Sequence, residues 1–177
     1  MAGKVQARPF VAACARTEAM THSELMAREG IRHTMASYTM AGDRLRAEDF
    51  TAVFTEDAIL ETEGVPAQDA FRHVGRQAIH HWIERWRTRP ADDQKPVHQA
   101  SFVRHHLATS LIELVDAETA NARTYWTAYT DIGPDHCGCY LDLFRKAGER
   151  WLIAHRRILL DWRSPHSLMF TAIARTN

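Results

Sequence analysis

Two adjacent histidines, His105 and His106, sit in a β-prone run from Phe102 to Val115, and Tyr38 and Asp43 close a helix-patterned stretch upstream. A neutral imidazole that meets a carboxylate away from bulk water becomes an oriented general base. The carboxylate fixes one ring nitrogen as N–H and leaves the other to take a proton. Neighbouring strand residues face opposite sides, so only one of the two histidines can enter an interior. Alternation alone does not say which. No Walker loop, G-x-G-x-x-G, G-x-S-x-G or H-E-x-x-H motif offers a competing chemistry.

The elements that must position these groups follow from periodicity. A first helix is expected from Ser23 to Ala41, with Ile31, Met35 and Tyr38 on one face and Gly42 as its terminator. A short helix is expected from Ala47 to Thr55, then a strand from Asp57 to Thr62. A loop from Gly64 to Val74 is a candidate lid. A third helix, Arg76 to Arg87, carries Ile79, Trp82, Ile83 and Trp86 at i, i+3, i+4 and i+7. Arg89 to Pro96 reads as a breaker-rich linker. The second half predicts four strands, about 100–115, 119–131, 136–146 and 150–162, joined by short Gly/Asp/Pro turns as antiparallel hairpins. Helices first and a meander afterwards predicts an α+β fold, with a curved antiparallel sheet wrapped over three helices and enclosing a pocket.

Composition bounds the function. The 177 residues are expected to form one domain over 23–163, with residues 1–22 as a tail and 164–177 as a C-terminal extension. Residues 1–22 read as a disordered tail or an over-extended start, with Met20 or Met26 as alternative starts. A transit-like leader is the other reading. In the extension, Leu168, Met169 and Phe170 are candidates to dock on a neighbouring surface. Lys plus Arg equals Asp plus Glu at 22 each, which argues against nucleic-acid or membrane-surface partners. Three cysteines point to a reducing, cytoplasmic setting, with Cys137 and Cys139 as small core residues. Eleven histidines raise the question of a metal, but His80 and His81 are adjacent and no ligand spacing stands out. No metal and no cofactor are expected.

The order of these pieces resembles a known family. Asp43 after a helix, Phe54 to Asp57, His105 to Ser110, and Trp151 to Trp162 together look like the SnoaL-like branch of the nuclear-transport-factor-2-like superfamily. The likeness covers about residues 24–163. It implies a conical α+β barrel with a deep apolar pocket, dimeric or trimeric and cofactor-free. Its dehydratase and dehydrochlorinase types (bile-acid 7α-dehydratase, scytalone dehydratase, lindane dehydrochlorinase) build the pocket around an Asp–His pair. By that resemblance His106, four residues before Ser110, matches the dyad histidine, and Asp43 its carboxylate. Tyr38 matches the tyrosine of the bile-acid type. Arg157, six residues after Trp151, matches a pocket arginine, with Arg156 as the alternative.

Each residue also has a structural reading. Asp43 suits a turn or N-cap, Tyr38 the helix core, and Trp82 and Trp86 core packing, with a pocket wall as their second role. Met35 and Phe54 complete the expected pocket. The function expected is a cofactor-independent lyase or isomerase, most concretely a dehydratase acting on a small hydrophobic cyclic molecule. The alternatives are a polyketide cyclase, a double-bond isomerase, and a non-catalytic scaffold such as a ring-hydroxylating dioxygenase β subunit. The apolar outer face of the sheet predicts a homodimer or homotrimer.

Overall fold

The computed structural model describes residues 19–87 and 100–169; the expected linker, most of the N-terminal tail and Phe170 lie outside them. Helix α1 spans His22–Gly42 and starts at a capping box, in which Thr21 and Glu24 each bond the other's backbone N–H. Its inner stripe, Ile31, Met35 and Tyr38, is buried. Gly42 does not end the helix in a left-handed turn, as the sequence predicts. Leu45 does so instead, at φ 51°. Arg46 N–H donates to Ala41 O and Leu45 N–H to Gly42 O, the paired closure of a helix C-terminus. Gly42 is needed for another reason: a Cβ there would lie 3.2 Å from the ring of Phe50.

Helix α2 is shorter than expected, Ala47–Thr51, and strand β1 starts earlier, at Phe54, and runs to Glu63. The candidate lid contains a 3₁₀ turn, Ala67–Asp69, and a short strand β2, Arg72–Val74. Helix α3 spans Arg76–Arg87 as predicted. Strands β3 (Arg104–Leu114), β4 (Thr119–Thr130), β5 (Gly133–Ala147) and β6 (Arg150–Arg163) form the expected meander.

The six strands make one sheet in the order β2-β1-β6-β5-β4-β3. All neighbours are antiparallel except β1 and β6. Among the described residues the edge strands β2 and β3 do not pair with each other, so this is a curved, open α+β sheet rather than a closed barrel. Its inner face presents Trp126, Tyr140, Phe144, Trp151 and Ile153 to the helices, all buried. Thr34 of α1 ties the layers by donating to Trp151 O at 2.5 Å. The opposite face leaves Leu111, Tyr125, Tyr129 and Trp162 exposed.

Four irregularities in the antiparallel pairings among β3 to β6 control what faces inward there. β3 has one extra residue between Leu107 and Ser110 where it pairs with β4. β6 has one between Ile153 and His155, and another between Leu160 and Trp162, where it pairs with β5. β5 has one between Pro134 and His136 where it pairs with β4. Each bulge reverses the alternation on one side of it.

Candidate active site

Asp43 sits at the C-terminal end of α1, where the helix dipole disfavours a negative charge. Two donors from β3 offset that cost. His105 N–H donates to Asp43 Oδ2 at 3.0 Å, and His105 Nδ1 lies 2.6 Å from Oδ1. The Asp43 side chain is 5% exposed and that of His105 24%, so the carboxylate is shielded while the imidazole keeps an opening to solvent. A carboxylate only accepts, so Nδ1 is the donor, which in the neutral imidazole leaves the lone pair on Nε2.

The histidine that meets Asp43 is therefore His105, where the sequence led to the expectation of His106. His106 is exposed and lies against Tyr129, ring centroids 4.8 Å apart. The bulge supplies the reason. Ser110 faces inward, bonded to Thr124 Oγ1 at 2.8 Å, and strict alternation would bring His106 in with it. The extra residue before Ser110 turns Leu107 and His105 inward instead.

The same correction applies to the arginine. Arg157 is partly exposed and pairs with Glu63 at 2.8 Å. Arg156 is fully buried and binds Asp142 through two bonds, Nε to Oδ1 at 2.8 Å and Nη2 to Oδ2 at 2.7 Å. Counting in twos from the buried Trp151 selects Arg157, and the bulge after Ile153 shifts the count to Arg156. Burial works against its charge, but Asp142 outweighs that and holds the guanidinium protonated. Its Cζ lies 4.0 Å from the ring centroid of Tyr38 and 4.1 Å from that of Tyr140.

Tyr38 is buried beside Arg156. Burial raises its pKa more than Arg156 lowers it, so the phenol keeps its proton. Burial and Tyr38 push Tyr140 higher still. The rings form an unbroken series from α3 to the dyad: Trp82 to Phe50 at 6.0 Å, Phe50 to Tyr38 at 4.7 Å, Tyr38 to Tyr140 at 5.9 Å, Tyr140 to Trp126 at 5.4 Å, and Trp126 to His105 at 5.8 Å. Trp82 is thus part of this aromatic series. Phe54 and Met35 are buried core beneath it, and Trp86 is 42% exposed at its outer end.

Sequence reasoning missed a second Asp–His pair. Asp135, the extra residue of the β5 bulge, and His136 are both buried, with His136 Nδ1 2.7 Å from Asp135 Oδ1. Thr130 Oγ1, Ser167 Oγ and Leu168 N–H also donate to this carboxylate, at 3.0, 2.5 and 2.8 Å. Burial opposes its charge, yet these donors hold it below the ordinary range. Burial lowers the pKa of His136, which keeps it neutral, and His105 adds to that effect. The two imidazole centroids are 6.1 Å apart. Ser167 and Leu168 of the C-terminal extension thus pack on this same chain's sheet. The adjacent Asp135-His136 in the sequence is the available signal, and strict alternation, which puts neighbours on opposite faces, hides it.

Two other features lie away from the dyad. An open cleft of about 1350 Å³ runs past Met26, His33 and Met40 of α1 to Arg46, Lys146 and Arg150; no dyad residue lines it. Among the described residues, Glu48, His80 and Glu84 bring ligand atoms within 4.8 Å of one another on α2 and α3. Reading α3 alone hid this set because Glu48 comes from another helix. Glu84 already pairs with Arg87 at 2.8 Å.

Comparison with protein families matches residues 23–157 to the SnoaL-like domain. The chain belongs to this family. A search of curated proteins gives no match. Among solved structures, a candidate scytalone dehydratase from Novosphingobium aromaticivorans DSM 12444 aligns with TM-score 0.66 and 23% identity, covering 89% of this chain and 100% of that one. The β subunit of a candidate aromatic-ring-hydroxylating dioxygenase from the same organism aligns at 0.64 and 19%, covering 84% and 98%. The hexachlorocyclohexane dehydrochlorinase LinA-type3 from Novosphingobium barchaimii LL02 aligns at 0.62 and 12%, covering 80% and 91%. At such identities these likenesses speak for the SnoaL-like, nuclear-transport-factor-2-like fold, which they share with this chain.

Proposed function

We propose that this SnoaL-like protein is a cofactor-independent lyase, a dehydratase acting on a small hydrophobic cyclic molecule. The observation that carries the reading is the shielded Asp43 carboxylate bonded to both the ring and the backbone of His105. His105 Nε2 takes a proton from carbon, the C–H pair becomes the new double bond, and the carbon–oxygen bond breaks with its pair on the leaving hydroxyl. The imidazolium then returns its proton to that hydroxyl, which departs as water. Asp43 holds the tautomer and stabilises the imidazolium. Tyr38 and Arg156 supply a donor and positive potential further along the aromatic wall. A positioned base is worth on the order of 10²–10⁴-fold in rate.

A polyketide cyclase or double-bond isomerase would use the same base; product analysis separates them. A second class of reading, a non-catalytic partner subunit, is favoured by the likeness to the dioxygenase β subunit. In either class the exposed apolar residues of the sheet's outer face fit a homodimer or homotrimer contact.

The test is a thermal-shift screen of cyclic hydroxy-carbonyl compounds, followed by turnover of the best binder. Asp43→Asn and His105→Ala should each lower turnover by orders of magnitude, and the double variant should lose far less than the product of the two. Full turnover in a folded His105→Ala protein would leave the partner-subunit reading.

A further inference from the structure

Glu48 of α2 and His80 and Glu84 of α3 converge on one point. His80 and Glu84 are four residues apart, so one helical turn stacks them on the same face of α3. Glu48, in the first turn of α2, reaches across with its Oε1 4.0 Å from His80 Nε2. One ligand atom from each of the three lies within 4.8 Å of the others. Atoms bound to one tetrahedral ion at about 2.0–2.2 Å stand about 3.4 Å apart. The Glu48 side chain is 80% exposed, so a change of its rotamer closes the difference.

Two carboxylates brought this close repel each other unless a cation joins them. Arg87 is the cation at hand. It pairs with Glu84 at 2.8 Å, and its charge is stabilised by Glu84 first and more weakly by Glu48. The arginine side chain is 55% exposed, so the pair is screened by water and readily exchanged. The donor set selects the ion that would replace it. One imidazole nitrogen and two carboxylate oxygens suit a borderline divalent ion such as zinc, whereas calcium and magnesium favour oxygen alone. Glu48 stands two residues before Phe50, and Trp82 lies between His80 and Glu84 in the chain. The rings of Phe50 and Trp82 are 6.0 Å apart, so an ion here fastens the two helices that carry the start of the aromatic series.

We propose that Glu48, His80 and Glu84 form a zinc site that clamps α2 to α3, with Arg87 as the guanidinium the ion displaces. Zinc takes the carboxylates from Arg87, the His80 imidazole gives its Nε2 lone pair, and water fills the remaining position. The site is separate from the Asp43–His105 pair and takes no part in its proton transfer.

Isothermal titration of the full chain with zinc chloride at neutral pH, in a magnesium-containing buffer, tests the site. Outer-shell partners alone are worth about 10–100-fold in metal affinity, so loss of a ligand should cost at least about 10-fold. The tightest zinc site should therefore weaken by that factor in His80→Ala and in Glu48→Gln. Arg87→Ala removes the competing guanidinium and should tighten it. His81→Ala, at the adjacent exposed imidazole, should leave it unchanged. If His80→Ala fails to fold, Glu48→Gln, on its mostly exposed side chain, decides in its place. No saturable zinc binding by the wild type would overturn the proposal. So would an unchanged Kd in either folded ligand variant, weaker binding by Arg87→Ala, or a loss in His81→Ala equal to that in His80→Ala.

Discussion

Arg156 carries a full charge with no exposed surface, and its neighbours explain how. Asp142 offers two charge-assisted bonds, and the rings of Tyr38 and Tyr140 lie against the guanidinium. Such a pair contributes little net stability when intact, because both charges have been stripped of water. Breaking it is another matter. Asp142→Asn leaves the guanidinium buried without a counter-charge and should cost about 3–5 kcal/mol by urea denaturation. Replacing both partners together, as Asp142→Leu with Arg156→Met, should recover much of that loss. Arg157→Ala, on the partly exposed side of the same strand, should stay within about 0.5 kcal/mol. If Asp142→Asn behaved like Arg157→Ala, the buried arginine would not be held as described.

The strands carry the lesson of what a sequence can disclose. The helix α3 stripe, the order of elements and the hairpin meander are legible because each rests on a local period or a Gly/Asp/Pro turn. The identities of the site's residue types are legible too: an Asp after the first helix, a histidine in the 105–106 pair, an arginine in the 156–157 pair. Which member of each pair faces inward is not, because it depends on the bulges at 107–110 and 153–155, and a bulge has no period. The resemblance points to His106 and Arg157, and the structure turns the neighbouring His105 and Arg156 inward; a count in twos across each extra residue gives the same one-residue offset. The same physics makes Asp135 and His136 neighbours that are both buried. At the far bulge Gly138 allows the β5 and β6 backbones to approach so closely that any Cβ would overlap Leu159 O. Gly138→Ala should therefore destabilise the protein by about 4 kcal/mol or more, read as loss of the cooperative urea transition. Near-wild-type stability would mean that the bulge is more pliable than its geometry implies.

The described residues form an open sheet with helices on one face and exposed aromatic and aliphatic side chains on the other. Light scattering at micromolar concentration should report a dimer or trimer; a monomer would refute the role given to that outer face. Its stability should also depend on pH. Burial lowers the pKa values of His136 and His73 in the folded state. The unfolded chain then binds more protons than the native one from about pH 6.5 downward to those lowered values. Stability is fully present above that window and is lost as pH falls through it, so the Tm should drop on acidification from neutral pH. His136→Gln should flatten the dependence; an unaltered slope would exclude His136 as a contributor. The account stands or falls on which of two adjacent histidines faces the chemistry. The decisive measurement is turnover of one identified substrate by His105→Gln and His106→Gln side by side, with melting temperatures recorded. The structure predicts loss by about 10² or more in the first and wild-type turnover in the second, and the reverse pattern, or equal activity in both, would contradict it.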